Sequence, residues 1–483
     1  MSAISDSKVA SRTYYEISGT QSLPLMQLQY SLHKECTQII FYTILNRKFD
    51  FELLKRAVNI EIERNDCLRI RFKRRAGKLM QYFLPELKLE NIPVLDFTGK
   101  TKEEQDAALT KDARKPLKVM KGEMYRVILY NTHDGRTGIY LNISHVIADL
   151  YAAVLFFIDL IEVIAALQNG TSIPKPLSSF EECLKKDLLL FHDEEANQKH
   201  HQFFKELFLK DGPSFYAGAD GMRLLNKERR RKRNEKLRYL TVNPLLNDRS
   251  ENYSMHLSAQ RAESILSFCE KNSIPLQTMV YMGMRTYLSK INEETDDVTF
   301  IVAFNRRITL ADKRSGGSRV NALPIRTVIA QDKTFMEAIT QTLQLQFQIL
   351  RHTDYIFALA KDGLAQWENR PLLSWTYSML LSCLPFKFSL PEGWECEMGN
   401  YSNGRFAMPL YTVVVPNFIK GGLDFHFEYR LNALYVHELQ ALFENSVRVM
   451  EAGVLNPDIT IGELMHEVLE VKEDYDITAA AEL

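Results

Sequence analysis

Residues 138–164 read GIYLNISHVIADLYAAVLFFIDLIEVI, and the way this stretch divides decides the fold. Its first part, from Ile139 to Ile143, is β-branched and apolar and predicts a strand. Its second part, residues 150–164, is broken only by Asp159 and Glu162 and is too long for a strand, so it predicts a mostly buried helix. Ser144, His145 and Asp149 fall between the two. A histidine at the end of a strand, with a carboxylate four residues on at the mouth of a helix, is placed for chemistry. Histidine is the side chain whose unperturbed pKa lets it take and give a proton near neutral pH. HxxxD is also a short pattern that arises by accident. From spacing alone, a half-buried histidine satisfied by a backbone carbonyl reads equally well.

Working outward, 483 residues and 55.9 kDa exceed one ordinary core, so two lobes are expected, residues 1–175 and 176–483. The turn-rich stretch 168–179, QNGTSIPKPLSS, is the candidate linker. Apolar residues make up 46% and charged residues 25%, as in a globular enzyme. A formal net charge of -1 gives no global field toward nucleic acid or an anionic membrane. Six scattered cysteines without CxxC pairs argue against a zinc site or a disulfide framework and fit a reducing cytosol. No apolar signal region opens the chain, so a cytoplasmic protein is expected. The run from Leu150 to Leu167 contains two acids and fits a core helix better than a membrane span.

In chain order, residues 1–12 and the last dozen read as disordered or frayed. Residues 37–45 predict a strand, and 50–63 a helix capped by Asp50. In 64–72, RNDCLRIRF, Leu68, Ile70 and Phe72 alternate with Arg69 and Arg71, which predicts a strand with one apolar and one basic face. Residues 101–117 read as a polar helix. Residues 125–131 read as a strand, joined by a turn at 133–136 to the strand that delivers His145. Residues 180–210 read as one helix, with His200-His201 on its surface. Residues 226–238, NKERRRKRNEKLR, hold eight basic residues against two acids. That run fits either a grip on phosphate or a solvated face. Beyond it, helices are expected at 258–271, 275–291, 334–351 and 436–452. Strands are expected at 252–257, 297–304, 320–328, 374–382, 409–414 and 422–429, with a flexible turn at Ser315-Gly316-Gly317-Ser318. Strands and helices mix without strict alternation, so the class is α+β with two similar lobes.

Five stretches carry a family resemblance. Residues 144–150 resemble the HHxxxDG motif of nonribosomal-peptide condensation domains and the wider CoA-dependent acyltransferase superfamily, which includes chloramphenicol acetyltransferase. Residues 64–72 resemble the RHxxLRTxF signature, 320–326 (VNALPIR) the VNTLPLR segment, 352–357 (HTDYIF) the HQDYPFE segment, and 369–372 (NRPL) the RNPL segment. They occur in the family's order, and the resemblance runs from about Pro24 to Glu463.

The resemblance implies two chloramphenicol-acetyltransferase-like lobes in a V-shaped pseudo-dimer with a central tunnel. His145 would be the catalytic residue. Asp149 would be a structural acid paired with Arg69, and Ser144, Leu150, Tyr151, Asn321 and Ser378 would line the tunnel. The implied reaction moves an acyl group from a thioester, on CoA or a carrier-protein phosphopantetheine, to an amine or alcohol acceptor. The product is an amide or ester, as in natural-product or lipid-like biosynthesis. No metal and no cofactor beyond the thioester co-substrate is implied. Without carrier or adenylation motifs, the chain is expected to be a freestanding monomer that acts in trans. Two departures bear on this. Ser144 replaces the family's first histidine, which is usually not the proton-transfer residue. Leu150 replaces a glycine that lets groups approach the ring closely. A bulky residue there would narrow the tunnel or mark a member that no longer catalyses, so a condensation-like protein-interaction module is the alternative.

Overall fold

The computed structural model describes residues 12–242, 246, 248–356, 363–371, 373–384, 390–417 and 419–471. Both expected disordered ends, apart from Arg12, lie outside the described residues, as do Phe357 and Leu372 of two of the motifs.

Two mixed sheets organise the chain. The first has the strand order Cys396–Asn400, Gln38–Leu45, Thr137–Ser144, Tyr125–Asn131, Val94–Asp96. Its central strand Thr137–Ser144 is buried along its whole length because both faces are covered. Helices Phe51–Arg64 and Leu150–Asn169 pack on one side, and helix Lys102–Ala113 on the other. Helix Leu150–Asn169 is long and apolar enough to cross a membrane, yet its apolar residues from Ala152 to Ala166 lie mostly inside this core. The acid that interrupts it also has a reason: Asp159 is buried with Arg64 Nε of the neighbouring helix 3.0 Å from its Oδ2.

The second sheet runs Val320–Val328, Asp297–Asn305, Met379–Cys383, Leu410–Pro416, Leu423–Arg430, Ser250–Leu257. One face packs on helices Ala259–Lys271, Leu276–Ile291, Phe335–Leu350 and Val436–Leu455. Strand Leu423–Arg430 shows the division. Leu423, Phe425, Phe427 and Tyr429 enter that core, while Asp424, His426 and Glu428 alternate to the other face. The lobes are stitched by the crossing strand Cys396–Asn400, which leaves the second half of the chain and pairs antiparallel with Gln38–Leu45.

Four local expectations are corrected. The strand expected from the alternation over 68–72 starts later: Leu68 and Arg69 belong to a 3-10 turn, Asp66–Arg69, and the strand is Ile70–Arg75, paired with Lys78–Phe83. Residues 180–210 form two helices, Phe180–Phe191 and Glu194–Leu209, because Asp193 caps a new helix by accepting from Ala196 N–H. Residues 374–382 split into Ser374–Trp375 and Met379–Cys383, which belong to different sheets. The turn at Ser315–Ser318 is fully buried rather than loose. A Cβ on Gly317, at φ +86°, would stand 2.1 Å from the Phe180 ring, so glycine there permits close packing.

Candidate active site

Strand Thr137–Ser144 ends at His145, whose N–H donates to Thr37 carbonyl at 2.7 Å, beside the first strand. The next three residues, Val146, Ile147 and Ala148, are buried in the first core. Gln21 Nε2 of helix Gly19–Tyr30 holds the Val146 carbonyl at 3.0 Å. The turn is therefore fixed from below, and the half-buried His145 stands on the wall of a cavity of about 630 Å3 between the lobes. The ring's Nδ1 is buried without a hydrogen-bond partner among the described residues. Burial pushes the imidazolium below the ordinary histidine range, which favours the neutral ring.

Asp149 has the opposite surroundings. As N-cap of helix Leu150–Asn169 it accepts from Ala152 N–H at 2.8 Å. It also takes Arg307 Nη1 and Nη2 at 2.8 and 3.1 Å, and the backbone N–H groups of Arg319 and Val320 at 2.7 and 2.8 Å. Burial alone would raise its carboxyl, but the Arg307 guanidinium and these donors hold it below the usual carboxylate range. Arg307 in turn donates to the carbonyls of Ser315 at 3.2 Å and Gly317 at 2.8 Å, and its guanidinium lies 4.6 Å from the Tyr151 ring centroid. The glycine turn is thus a seat for this arginine.

The expected Asp149–Arg69 pair is corrected here. Arg69 donates to the Leu84 and Ile62 carbonyls, each at 3.0 Å, and to the Glu63 carbonyl. It caps the C-terminal carbonyls of helix Phe51–Arg64, which leave no partner within that helix. The real partner, Arg307, lies 158 residues from Asp149 and belongs to the second lobe. No motif in the sequence marked it. Its one signal was position, directly after strand Asp297–Asn305.

Of the other sequence candidates, Leu150 and Asn321 line the cavity with His145. Asn321 Nδ2 donates to the Thr353 and Tyr355 carbonyls at 2.8 and 2.6 Å, which joins the motifs at 320–326 and 352–356. Ser144, Tyr151 and Ser378 are placed elsewhere. Ser144 is buried and its Oγ accepts from Val146 N–H. Tyr151 OH donates to Lys313 carbonyl, and Ser378 Oγ donates to Ala217 carbonyl. The cavity wall also carries Tyr411, His426 and Glu428 from the second sheet, which no motif in the sequence marked. Their period-2 placement on two strands was the available signal.

His200, read as surface, is half-buried, with Nδ1 2.8 Å from His352 Nδ1 across a helix contact. The basic run becomes helix Arg223–Lys232 and the loop after it. Arg229 pairs with Glu293 and Arg231 with Glu228, both at 2.6 Å, and none of the run lines the cavity.

A family model described as Condensation domain matches residues 11–473. Surfactin synthase subunit 1 of Bacillus subtilis (strain 168) is 22% identical over 86% of this chain, and a plipastatin synthase subunit of the same organism is 18% identical over 86%. The chain spans only 11% and 15% of those relatives' own lengths. Among solved structures, a variant of the starter condensation domain of rhizomide synthetase in complex with C8-CoA superposes with TM-score 0.76 at 19% identity, covering 93% of this chain and 97% of that one. The first condensation domain of the calcium-dependent antibiotic synthetase, in complex with a substrate analogue, gives 0.76 at 17% identity, covering 94% and 99%.

Proposed function

The chain belongs to the condensation-domain family, and from that premise we propose that it is an acyltransferase whose proton-transfer residue is His145. The carrying observation is the His145 ring on the wall of an inter-lobe cavity, with its Nδ1 buried and unpartnered among the described residues, where burial favours the neutral imidazole. A ring in that state is ready to accept a proton. An amine or alcohol acceptor would attack the thioester carbonyl as His145 takes its N–H or O–H proton. Collapse of the adduct would expel the thiolate, and the proton would return to sulfur. A cavity that holds both substrates also supplies acceleration through their alignment. Asp149 has both carboxylate oxygens engaged away from the ring, so its role is positioning. The donor is a thioester on CoA or a carrier-protein phosphopantetheine. In support, the rhizomide domain was solved with C8-CoA and, in a further variant, with C8-CoA and Leu-SNAC.

The test is thiol release from a panel of acyl-CoA and acyl-carrier thioesters, with amines and alcohols as acceptors. His145→Ala should lower transfer by about 10²–10⁴-fold with the melting temperature unchanged. Equal rates in parent and variant overturn the role of His145. A parent silent on the whole panel overturns catalysis. One feature favours the second reading, a binding module: Leu150 occupies the cavity wall where the family carries glycine.

A further inference from the structure

Among the described residues, four carboxylates line the cavity: Asp248, Glu397, Asp424 and Glu428. Three are matched by a basic group. Asp248 takes Arg405 Nη1 at 2.9 Å, Glu397 lies 3.4 Å from Arg136 Nη1, and Asp424 lies 2.7 Å from His256 Nδ1. Glu428 has no such match among the described residues. Ser250 Oγ donates to its Oε1 at 2.9 Å, and the Ser402 hydroxyl supplies a second hydrogen bond. Arg405, the one guanidinium among the described lining residues, is committed to Asp248 and lies 3.6 Å from Glu35. Glu428 is half-buried, and an ionised carboxylate partly withdrawn from water with only hydroxyl donors is costly. Burial accordingly pushes the Glu428 carboxyl up to about 7. A ligand cation would complete this site.

Glu428 is also remote from His145. It pairs in register with Tyr411 on strand Leu410–Pro416, and its own strand lies four strand spacings from strand Val320–Val328, whose first residues hold Asp149. At about 4.8 Å per strand that is roughly 19 Å along the sheet. A shorter route runs from His145 through Thr37 and Gln38 to Asn403, whose Nδ2 donates to the Gln38 carbonyl at 3.0 Å, and on to Ser402. Several residues still intervene. A nitrogen at Glu428 is therefore not the nucleophile at His145, and an ammonium held by a carboxylate has no lone pair with which to attack.

Resting on the acyl-transfer reading of this cavity, we infer that Glu428 selects the acceptor: it binds a second, protonated nitrogen of a diamine-class acceptor whose other nitrogen reaches His145. The test compares α,ω-diamines, from cadaverine to 1,12-diaminododecane, with uncharged α,ω-diols of matched length. Binding to the His145→Ala protein is measured by calorimetry, so no turnover is required. At one preferred length the diamine should bind about tenfold tighter than the diol, the scale of one charge-assisted contact. Glu428→Gln in the same background should abolish that gain and leave diol binding unchanged, which also shows the cavity intact. Glu428→Asp, a second variant, should keep the gain and move the preferred length upward. No diamine advantage at any length, or an advantage that survives Glu428→Gln, overturns the inference. If the gain depends on Glu428 but the parent releases no thiol with any acceptor, the acyl-transfer reading fails and the cation site stands.

Discussion

At the head of helix Leu150–Asn169, Asp149 accepts five hydrogen bonds, two of them from Arg307. On the cavity face of the second sheet, Glu428 is held by two serine hydroxyls and, among the described residues, no cation. Asp149 is buried and Glu428 half-buried on the cavity wall, yet Asp149 titrates below the ordinary carboxylate range and Glu428 is raised to about 7. Desolvation pushes both upward, and the number and charge of the donors decide which one escapes it. A carboxylate with its donors saturated from within the protein is structural. One left undersupplied on a cavity wall has capacity for a ligand.

The contrast breaks first at Asp149. Asp149→Ala leaves Arg307, whose side chain is fully buried, without its counter-charge. The expected loss is roughly 3–5 kcal/mol in denaturant melts, the cost of stranding one partner of a buried pair. Arg69→Ala keeps all five donors to Asp149 and should cost less. Equal losses would restore Arg69 as the partner.

Melts across pH sharpen the contrast further, because the two carboxyls have opposite signs. Asp149 binds its proton less readily folded than unfolded. Its contribution is present above the unfolded carboxylate value and is lost as pH falls through the lower folded one. Glu428 binds its proton more readily folded. Its contribution is full below the unfolded value, about 4.3, and is lost as pH rises to about 7. Glu428→Gln should therefore remove a fall in stability over that upper window and leave the acid limb alone. A parent–variant difference flat between those values would show that Glu428 is not raised.

The smallest effect is expected where charge is met mostly by solvent and local partners. Replacing Arg229, Arg230, Arg231 and Arg233 with Gln should leave CoA binding and its salt dependence unchanged, since none of them lines the cavity. The exposed Arg231 should contribute little, as exposed ion pairs do, and the half-buried Arg229, paired with Glu293, most of any loss in stability. Weakened CoA binding in this variant would assign the run to the phosphates.

Much of the architecture was legible from neighbouring residues. The strand–turn–helix around His145, the Asp50 cap and the strand expected at 422–429 follow from period and side-chain chemistry within a few residues. The motif series made the family legible and placed His145, Leu150 and Asn321 on a common cavity. What failed were readings that needed a partner far along the chain. Ser315–Ser318 looked loose because glycine and serine favour turns, but Gly317 admits Phe180 and the turn's carbonyls hold Arg307. The split of 374–382 was invisible because both halves are apolar.

Residue order alone determined that a histidine at a strand end and an acid at the head of a helix stand four residues apart, since strand and helix periodicities act over neighbours. Only the tertiary structure decided that Asp149 binds Arg307 rather than Arg69, and that Glu428 faces the same cavity with no cation among the described residues. Hydrogen-bond supply and desolvation are properties of whatever the fold brings into contact, and those contacts join residues that the sequence holds more than a hundred positions apart.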